Sequence, residues 1–282
     1  MIADSLGIDQ PIQKKRGHTY AWQLILTPSE NAPIQRDLAR VPDQIGRARM
    51  SGNLMLEKLL PPNVAVQTSR ANEVPEIQVM AGEESAIATA VKSRRHEFSI
   101  GRACARAALC KLGFPSCPIP SGPNREPLWP SGIVGSITHC AGFYAAAVAM
   151  QKDYIALGID AEVDEELPSG VLSIISSHEE RLWIANASEH INWERLLFSA
   201  KESIFKAWFP LTREWLGFQD AVVTIIPEDG SFIVQLPHTC VPAADCPREL
   251  RGRFTISNGL ILTAVFIEAC QRRSVSSETL SS

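Results

Sequence analysis

The 282-residue sequence has no surplus of positive charge, with 27 Lys and Arg against 31 Asp and Glu and a formal net charge of −4. No general field draws nucleic acid, so any anionic ligand must be met by a local cluster. Cys-x-x-Cys pairs are also missing. The seven cysteines (Cys104, Cys110, Cys117, Cys140, Cys240, Cys246, Cys270) are odd in number and scattered, which argues against a full disulfide framework and against a zinc ribbon. Reduced thiols and a cytoplasmic location are the simplest expectation. Long apolar runs are absent too: residues 21–26 form a brief one broken by Gln23, too short and polar for a signal core or a span. No membrane association is expected. Neither G-x-x-x-x-G-K-[ST] nor G-x-G-x-x-G occurs to bind a nucleotide by backbone amides.

What is present is ordinary for a globular protein: 45% apolar and 21% charged residues, enough for one large domain or two modest ones. Residues 1–75 carry little signal beyond a strand-like piece at 20–26 and a short helix near 51–60. Residues 83–112 are rich in Ala and Arg, with Phe98, Ala105, Leu109 and Leu112 at helical spacing before Gly113 and Pro115; this predicts one helix, or two joined near Ser93. A Pro-rich loop follows at 115–130, then two short apolar runs, 132–139 and 143–150, that read as a hairpin.

The second half alternates likewise. Residues 154–163 read as a strand and 168–170 as a turn. Residues 177–187 read as a helix capped by Ser177 with Glu180 at its third position, and 193–209 as a longer helix ended by Pro210. Strands are expected at 221–226, 232–236, 253–257 and 260–267, and a frayed tail at 271–282. The rhythm lacks regular β-α-β units. The predicted class is α+β in two lobes of similar size, with a poorly assigned extension at 1–75, a first lobe core at 76–153 and a second lobe at 154–270.

Three segments carry candidate chemistry. In Gly158-Ile159-Asp160-Ala161-Glu162, strand alternation projects Asp160 and Glu162 side by side. Two carboxylates that close repel unless a cation or proton sits between them, and magnesium suits such hard oxygens together with a substrate phosphate. A solvated strand end is the plain alternative.

The second segment runs from Phe198 to Phe209. It places Glu202 and Lys206 one helical turn apart on a stripe shared with Phe198, Phe205 and Phe209, and Lys201 is embedded in the same apolar helix. Such charges need partners or ligands; a snorkelling lysine pair with an i,i+4 salt bridge is the plain alternative.

In Gly135-Ser136-Ile137-Thr138-His139, Ser136 and Thr138 share a face and His139 sits at the turn, where it could reach an anion together with the Ser hydroxyl. The spacing is not that of a hydrolase nucleophile elbow. Cys140 faces the other way and reads as a buried, inert thiol. Arg94, Arg95, Arg102 and Arg106 on the first helix, and Arg125 in the Pro-rich loop, are the cationic candidates; a solvated basic stripe is the plain alternative.

Taken together, Arg94-Arg-His-Glu-Phe-Ser-Ile-Gly-Arg102, Arg125-Glu-Pro-Leu-Trp-Pro130, Gly135 to His139, Gly158 to Glu162 and Ser199-Ala-Lys-Glu-Ser-Ile-Phe-Lys206-Ala-Trp-Phe-Pro210 resemble the Sfp-type 4′-phosphopantetheinyl transferases, in the branch related to enterobactin synthetase component D. The resemblance implies two lobes related by pseudo-twofold symmetry, with coenzyme A in the cleft between them. It implies Asp160, Glu162 and Glu202 as magnesium ligands, and Glu202 as the group that takes the proton from a carrier-protein serine. Lys206, with Lys201 adding to its field, would neutralise charge on the departing 3′,5′-ADP. Ser136 and His139 match phosphate-holding positions, and Arg94 and Arg102, with Arg95 as a neighbour, match positions near the 3′-phosphate. Arg125 would flank the adenine, and Ala161 would be met through its backbone. Thr138 stands where many members have Ser.

The implied partners are acyl and peptidyl carrier proteins and coenzyme A, with no nucleic acid, and a monomer is expected. Two rival readings keep the same residues in view. One is a magnesium-dependent phosphoesterase; the other is a noncatalytic protein that binds carrier proteins or coenzyme A.

Overall fold

Antiparallel strands and helices alternate through residues 52–70, 79–188, 190–236 and 249–269, the parts that the computed structural model describes. A short helix α1 (Gly52–Glu57) leads to β1 (Ala65–Arg70), and a 3-10 turn at Glu84–Ile87 precedes helix α2 (Lys92–Lys111). Strands β2 (Ile133–Cys140), β3 (Phe143–Met150) and β4 (Tyr154–Val163) follow. Next come helices α3 (Val171–Ile175), α4 (His178–Asn186) and α5 (Trp193–Thr212), then strands β5 (Val222–Ile226), β6 (Ser231–Gln235), β7 (Glu249–Ser257) and β8 (Leu260–Glu268). The result is the mixed helix and sheet class expected.

Two antiparallel sheets result, one of three strands in the order β1-β3-β2 and one of five in the order β4-β8-β7-β6-β5. Turn chemistry sets two of the registers. Ala141 and Gly142 (φ 39° and 76°) join β2 to β3 so that Cys140 faces Phe143, and Asn258 and Gly259 (φ 55° and 71°) join β7 to β8 so that Ser257 faces Leu260. Positive φ at both central residues is what a tight hairpin of matching twist requires.

Side-chain alternation then stacks the layers. On β3, Tyr144, Ala146 and Val148 pack with Ile100, Ala105 and Leu109 of α2, whereas Phe143, Ala145 and Ala147 pack with Leu157, Ile159, Leu262 and Ala264 of β4 and β8. The far face of the larger sheet meets α5, where Leu196, Leu197, Ala200, Ile204 and Trp208 join Ala156, Ile261 and Val265. Helix, sheet, sheet and helix thus lie in succession, each burying one apolar face. On β4, Leu157, Ile159 and Ala161 point to the smaller sheet, so Asp160 and Glu162 take the other parity.

Several expectations are corrected. Of the two readings of residues 83–112, the one with two pieces is the nearer, the first being only a 3-10 turn and the break falling at 88–91; the sequence reading missed both β1 and α3. Pro210 does not end α5, which runs to Thr212 with Pro210 inside its last turn. There the proline removes only one hydrogen bond, and Arg213, in the left-handed region at φ 59°, closes the helix with its N–H on the Phe209 carbonyl. The Ser177 cap is as read: its hydroxyl accepts from the Glu180 N–H, and the Glu180 carboxylate accepts from the Ser177 N–H. The strand expected at 20–26 and the frayed tail expected at 271–282 lie outside the described residues. Cys104, Cys110, Cys117 and Cys140 are free thiols, and among the described residues no helix is long and apolar enough to cross a membrane.

Candidate active site

β4 and α5 approach each other closely at one glycine. A Cβ on Gly158 would lie 1.9 Å from the Ser203 carbonyl oxygen and 2.8 Å from the Ala207 nitrogen, so only a residue without a side chain lets strand and helix backbones touch. That contact brings the next residues of the same strand face against the helix. Asp160, 3% exposed, accepts hydrogen bonds from the Ser199 hydroxyl at 2.8 Å and the Thr138 hydroxyl at 3.1 Å, and pairs with Lys206 Nζ at 2.6 Å. Glu162 accepts from Arg195 at 3.1 Å. Arg195 also donates to the carbonyls of Glu165 and Glu166, strapping the loop after β4 to the start of α5.

Glu202, also 3% exposed, has an Oε1 atom with no hydrogen-bond partner. Among the described residues only Trp208 Nε1 shares that condition, and a buried carboxylate oxygen left unpaired is costly unless something else meets it. Burial and the neighbouring Asp160 charge push the Glu202 carboxyl up to about 8, and the same two causes push Glu162 to about 7 against the pull of Arg195. Lys206 moves the other way. Burial disfavours its charge, but Asp160, Glu202 and Glu162 outweigh that and raise it. Three carboxyl groups and one ammonium therefore share a small, largely dry volume, where charge must be balanced locally. Among the described residues, no three His, Cys, Asp or Glu side chains converge as a group able to hold a metal ion; Asp160 is instead turned to Lys206.

A second cluster lies at the end of β2. His139 Nε2 is 2.8 Å from an Arg94 nitrogen and 4.0 Å from the Glu97 carboxylate, which Arg94 also meets at 3.3 Å. Burial lowers the His139 imidazole, Glu97 pulls it back up, and Arg94 and Lys206 add to the lowering, so the ring favours its neutral form. The structure brings His139 and Arg94 together, whereas the sequence reading paired His139 with Ser136 and Arg94 with Arg102. The remaining cations are held elsewhere. Arg95 braces the segment before α2 through the carbonyls of Ala88 and Ala90. Arg102, stacked 4.4 Å over the Phe98 ring, holds the Pro-rich loop through the Ile119 carbonyl and the Ser121 hydroxyl, and burial lowers it to about 10. Arg125 is exposed at a turn with φ 67°, and beside it Glu126 pairs with Arg213 at the end of α5.

Two further residues stand apart from the Asp160 cluster. Lys201 is 1% exposed, and its ammonium donates to Glu180 and to the carbonyls of Ile175 and Phe218, so it is spent on the scaffold and adds no donor to the Asp160 cluster. Ser136 is buried, and its hydroxyl accepts from the Ile159 N–H, stitching β2 to β4. Thr138 is the hydroxyl that reaches the charged cluster, and it also accepts from the Ala161 N–H. That amide is therefore already engaged. Sequence reading also missed Ser199 and Arg195. Ser199 lies seven residues before Lys206, two turns along one helix face, which is the signal that could have found it; Arg195 offered none beyond its place on the same helix.

Comparison with known proteins bears on this arrangement. Residues 82–149 match a family model described as the 4′-phosphopantetheinyl transferase N-terminal domain, and residues 156–246 match the 4′-phosphopantetheinyl transferase superfamily. The chain is 43% identical over 223 residues to 4′-phosphopantetheinyl transferase Svp of Streptomyces mobaraensis, covering 76% of this chain and 90% of that one. It is 39% identical over 227 residues to 4′-phosphopantetheinyl transferase PptT of Mycobacterium tuberculosis, covering 77% and 100%. Enterobactin synthase component D of Salmonella typhimurium is 32% identical over 180 residues, covering 63% and 74%.

Proposed function

The chain belongs to the 4′-phosphopantetheinyl transferase superfamily, and from that premise we propose how its own residues carry the reaction. It is a transferase that moves the phosphopantetheine arm of coenzyme A onto a carrier-protein serine. The phosphoesterase and noncatalytic readings are set aside accordingly. The observation that carries the assignment of roles is the buried, unpartnered Oε1 of Glu202 beside Asp160, Glu162 and Lys206.

Asp160, Glu162 and Glu202 are proposed to hold Mg2+. They fit that ion chemically: three hard oxygen donors, one with an orphaned atom, and two with carboxyl groups raised by burial and by the Asp160 charge, which a divalent cation would offset. The ion, when bound, neutralises charge on the coenzyme A diphosphate and on the developing leaving group.

Glu202 takes the proton of the carrier serine hydroxyl as that oxygen bonds to the β-phosphorus. Its buried carboxylate, with Oε1 unpartnered, is the group placed to accept that proton. The bond from the β-phosphorus to the bridging oxygen breaks, and 3′,5′-ADP departs. Lys206, already held among the carboxylates, neutralises the departing diphosphate charge. His139 and Arg94, 2.8 Å apart, present a neutral ring and a guanidinium to phosphate oxygens. Arg102 acts indirectly by holding the loop that carries Arg125 toward the adenine.

In this reading residues 76–153 and 154–270 form two pseudo-symmetric lobes with coenzyme A between them, a view supported by one 20-residue helix on each sheet. Both lobes lie in one chain and both supply groups, so a monomer suffices. Acyl and peptidyl carrier proteins are the acceptors, and the cytoplasm, where coenzyme A and apo carriers coexist, is the working compartment. The test is transfer to an apo acyl carrier protein, followed by intact mass. Activity abolished by EDTA, restored by Mg2+ and lost in Asp160→Asn supports the metal reading; transfer indifferent to EDTA overturns it.

A further inference from the structure

α5 is held by packing that is mostly apolar, and apolar contact is not directional. One buried ion pair supplies direction. Lys201 Nζ donates to Glu180 Oε2 at 2.8 Å, to the Ile175 carbonyl at 2.8 Å and to the Phe218 carbonyl at 2.7 Å, so all three of its hydrogens are used. The three acceptors come from the end of α3, the first turn of α4 and the segment after α5. Glu180 is equally committed: its Oε1 accepts from the Val223 N–H at 2.8 Å and its Oε2 from the Ser177 N–H at 2.6 Å. One residue of α5 is thereby tied to α3, α4 and β5, while the close approach at Gly158 fixes the helix from β4.

We propose that the Lys201–Glu180 pair is a positioning device for the transfer, fixing the rotation of α5 so that the adjacent Glu202 is aimed at Asp160 and Glu162, and that it touches neither coenzyme A nor the carrier. Consecutive helix residues lie about 100° apart, so locking one aims the next. A rotation of ~10° moves a group at the ~5–6 Å outer radius of a helix by about 1 Å, and a misplacement of that size costs on the order of 10²-fold in rate. Stability alone does not account for the pair, because a buried ion pair is commonly matched or exceeded by well-packed apolar residues. The inference rests on the role proposed for Glu202.

The test uses Lys201→Met, Glu180→Asp and the double variant Lys201→Met/Glu180→Gln, beside Glu202→Gln. For each, the turnover rate, the coenzyme A affinity by calorimetry and the urea midpoint are measured. Lys201→Met and Glu180→Asp lose about 10²-fold in turnover, with coenzyme A affinity changed by less than about twofold. The double variant leaves no buried charge unpaired, so it regains the urea resistance lost by Lys201→Met, but its turnover stays low. Turnover that returns with stability makes the pair ordinary scaffold and overturns the proposal. Weakened coenzyme A binding at unchanged turnover overturns it too, by placing Lys201 on the phosphates. Glu180→Asp keeps the charge balance, so wild-type turnover in that variant counts against the proposal even if Lys201→Met does not fold. Full activity in Glu202→Gln defeats the role of Glu202 separately from the pair.

Discussion

Lys206 Nζ lies 2.6 Å from Oδ1 of Asp160, and the same carboxylate accepts hydrogens from Thr138 and Ser199. Asp160 is therefore a shared anchor. On the proposed mechanism, a divalent cation held by this carboxylate would compete with the ammonium for it, so the cation site and Lys206 would be coupled.

From that coupling, Lys206→Met lowers turnover by roughly 10²- to 10³-fold, the range for removing a group aimed at developing charge. Initial rates of carrier modification measure it. Since the ammonium also neutralises Asp160, the loss extends to coenzyme A affinity, which calorimetry reads.

A second expectation concerns pH. In chelator-treated protein the Glu202 carboxyl is raised from 4.5 to about 8. Between those values the folded chain keeps a proton that the unfolded chain has lost, so stability falls as pH rises, by up to about 1.4 kcal/mol per unit for each such proton. It is fully present below about 4.5. Urea unfolding from pH 5 to 9 with EDTA shows this decline, and Glu202→Gln flattens it. With Mg2+ in place of EDTA the slope diminishes, because the ion favours the ionised carboxylates.

The contact at Gly158 is equally exacting. Gly158→Ala places a methyl group 1.9 Å from a backbone oxygen and forces β4 away from α5. The loss is at least about 1–3 kcal/mol, the usual range for overpacking, and activity falls with it. Gly170→Ala, where nothing lies within 4 Å but φ is 86°, costs only about 1 kcal/mol of backbone strain. Thermal denaturation of the two variants separates packing from conformation.

Thiol chemistry offers a check on the fold itself. Cys110 is exposed, whereas Cys104 is buried with its thiol pushed up to about 12, and burial together with Glu162 and Asp160 raises Cys140 further still. Iodoacetamide at pH 8, followed by peptide mapping, labels Cys110 and spares Cys104 and Cys140 until urea is added.

The strand of the candidate site was legible because alternation puts Asp160 and Glu162 on one face, and its helix because Glu202 and Lys206 are four residues apart on an apolar stripe. Lys201 lies apart from the Asp160 cluster for a reason visible in the same geometry. Five residues from Lys206, it lies about 140° away around the helix and so joins a different flank. Ser136 and Thr138 share a face, as expected, but which of two hydroxyls meets a charge depends on the neighbouring sheet. Arg102 and Arg95 were read as phosphate candidates, yet Arg95 meets main-chain carbonyls and Arg102 the Ile119 carbonyl and the Ser121 hydroxyl, partners that only the folded loop supplies. Strand β1 follows the same rule: its pairing with β3 is a long-range event without a local signature.

The most direct measurement is the intact mass of an apo acyl carrier protein after incubation with coenzyme A, Mg2+ and either the wild-type chain or Glu202→Gln. The account predicts a gain of one phosphopantetheine arm with the wild type, slowed by at least about 10²-fold in the variant while coenzyme A binding persists. Equal transfer by both proteins would contradict it.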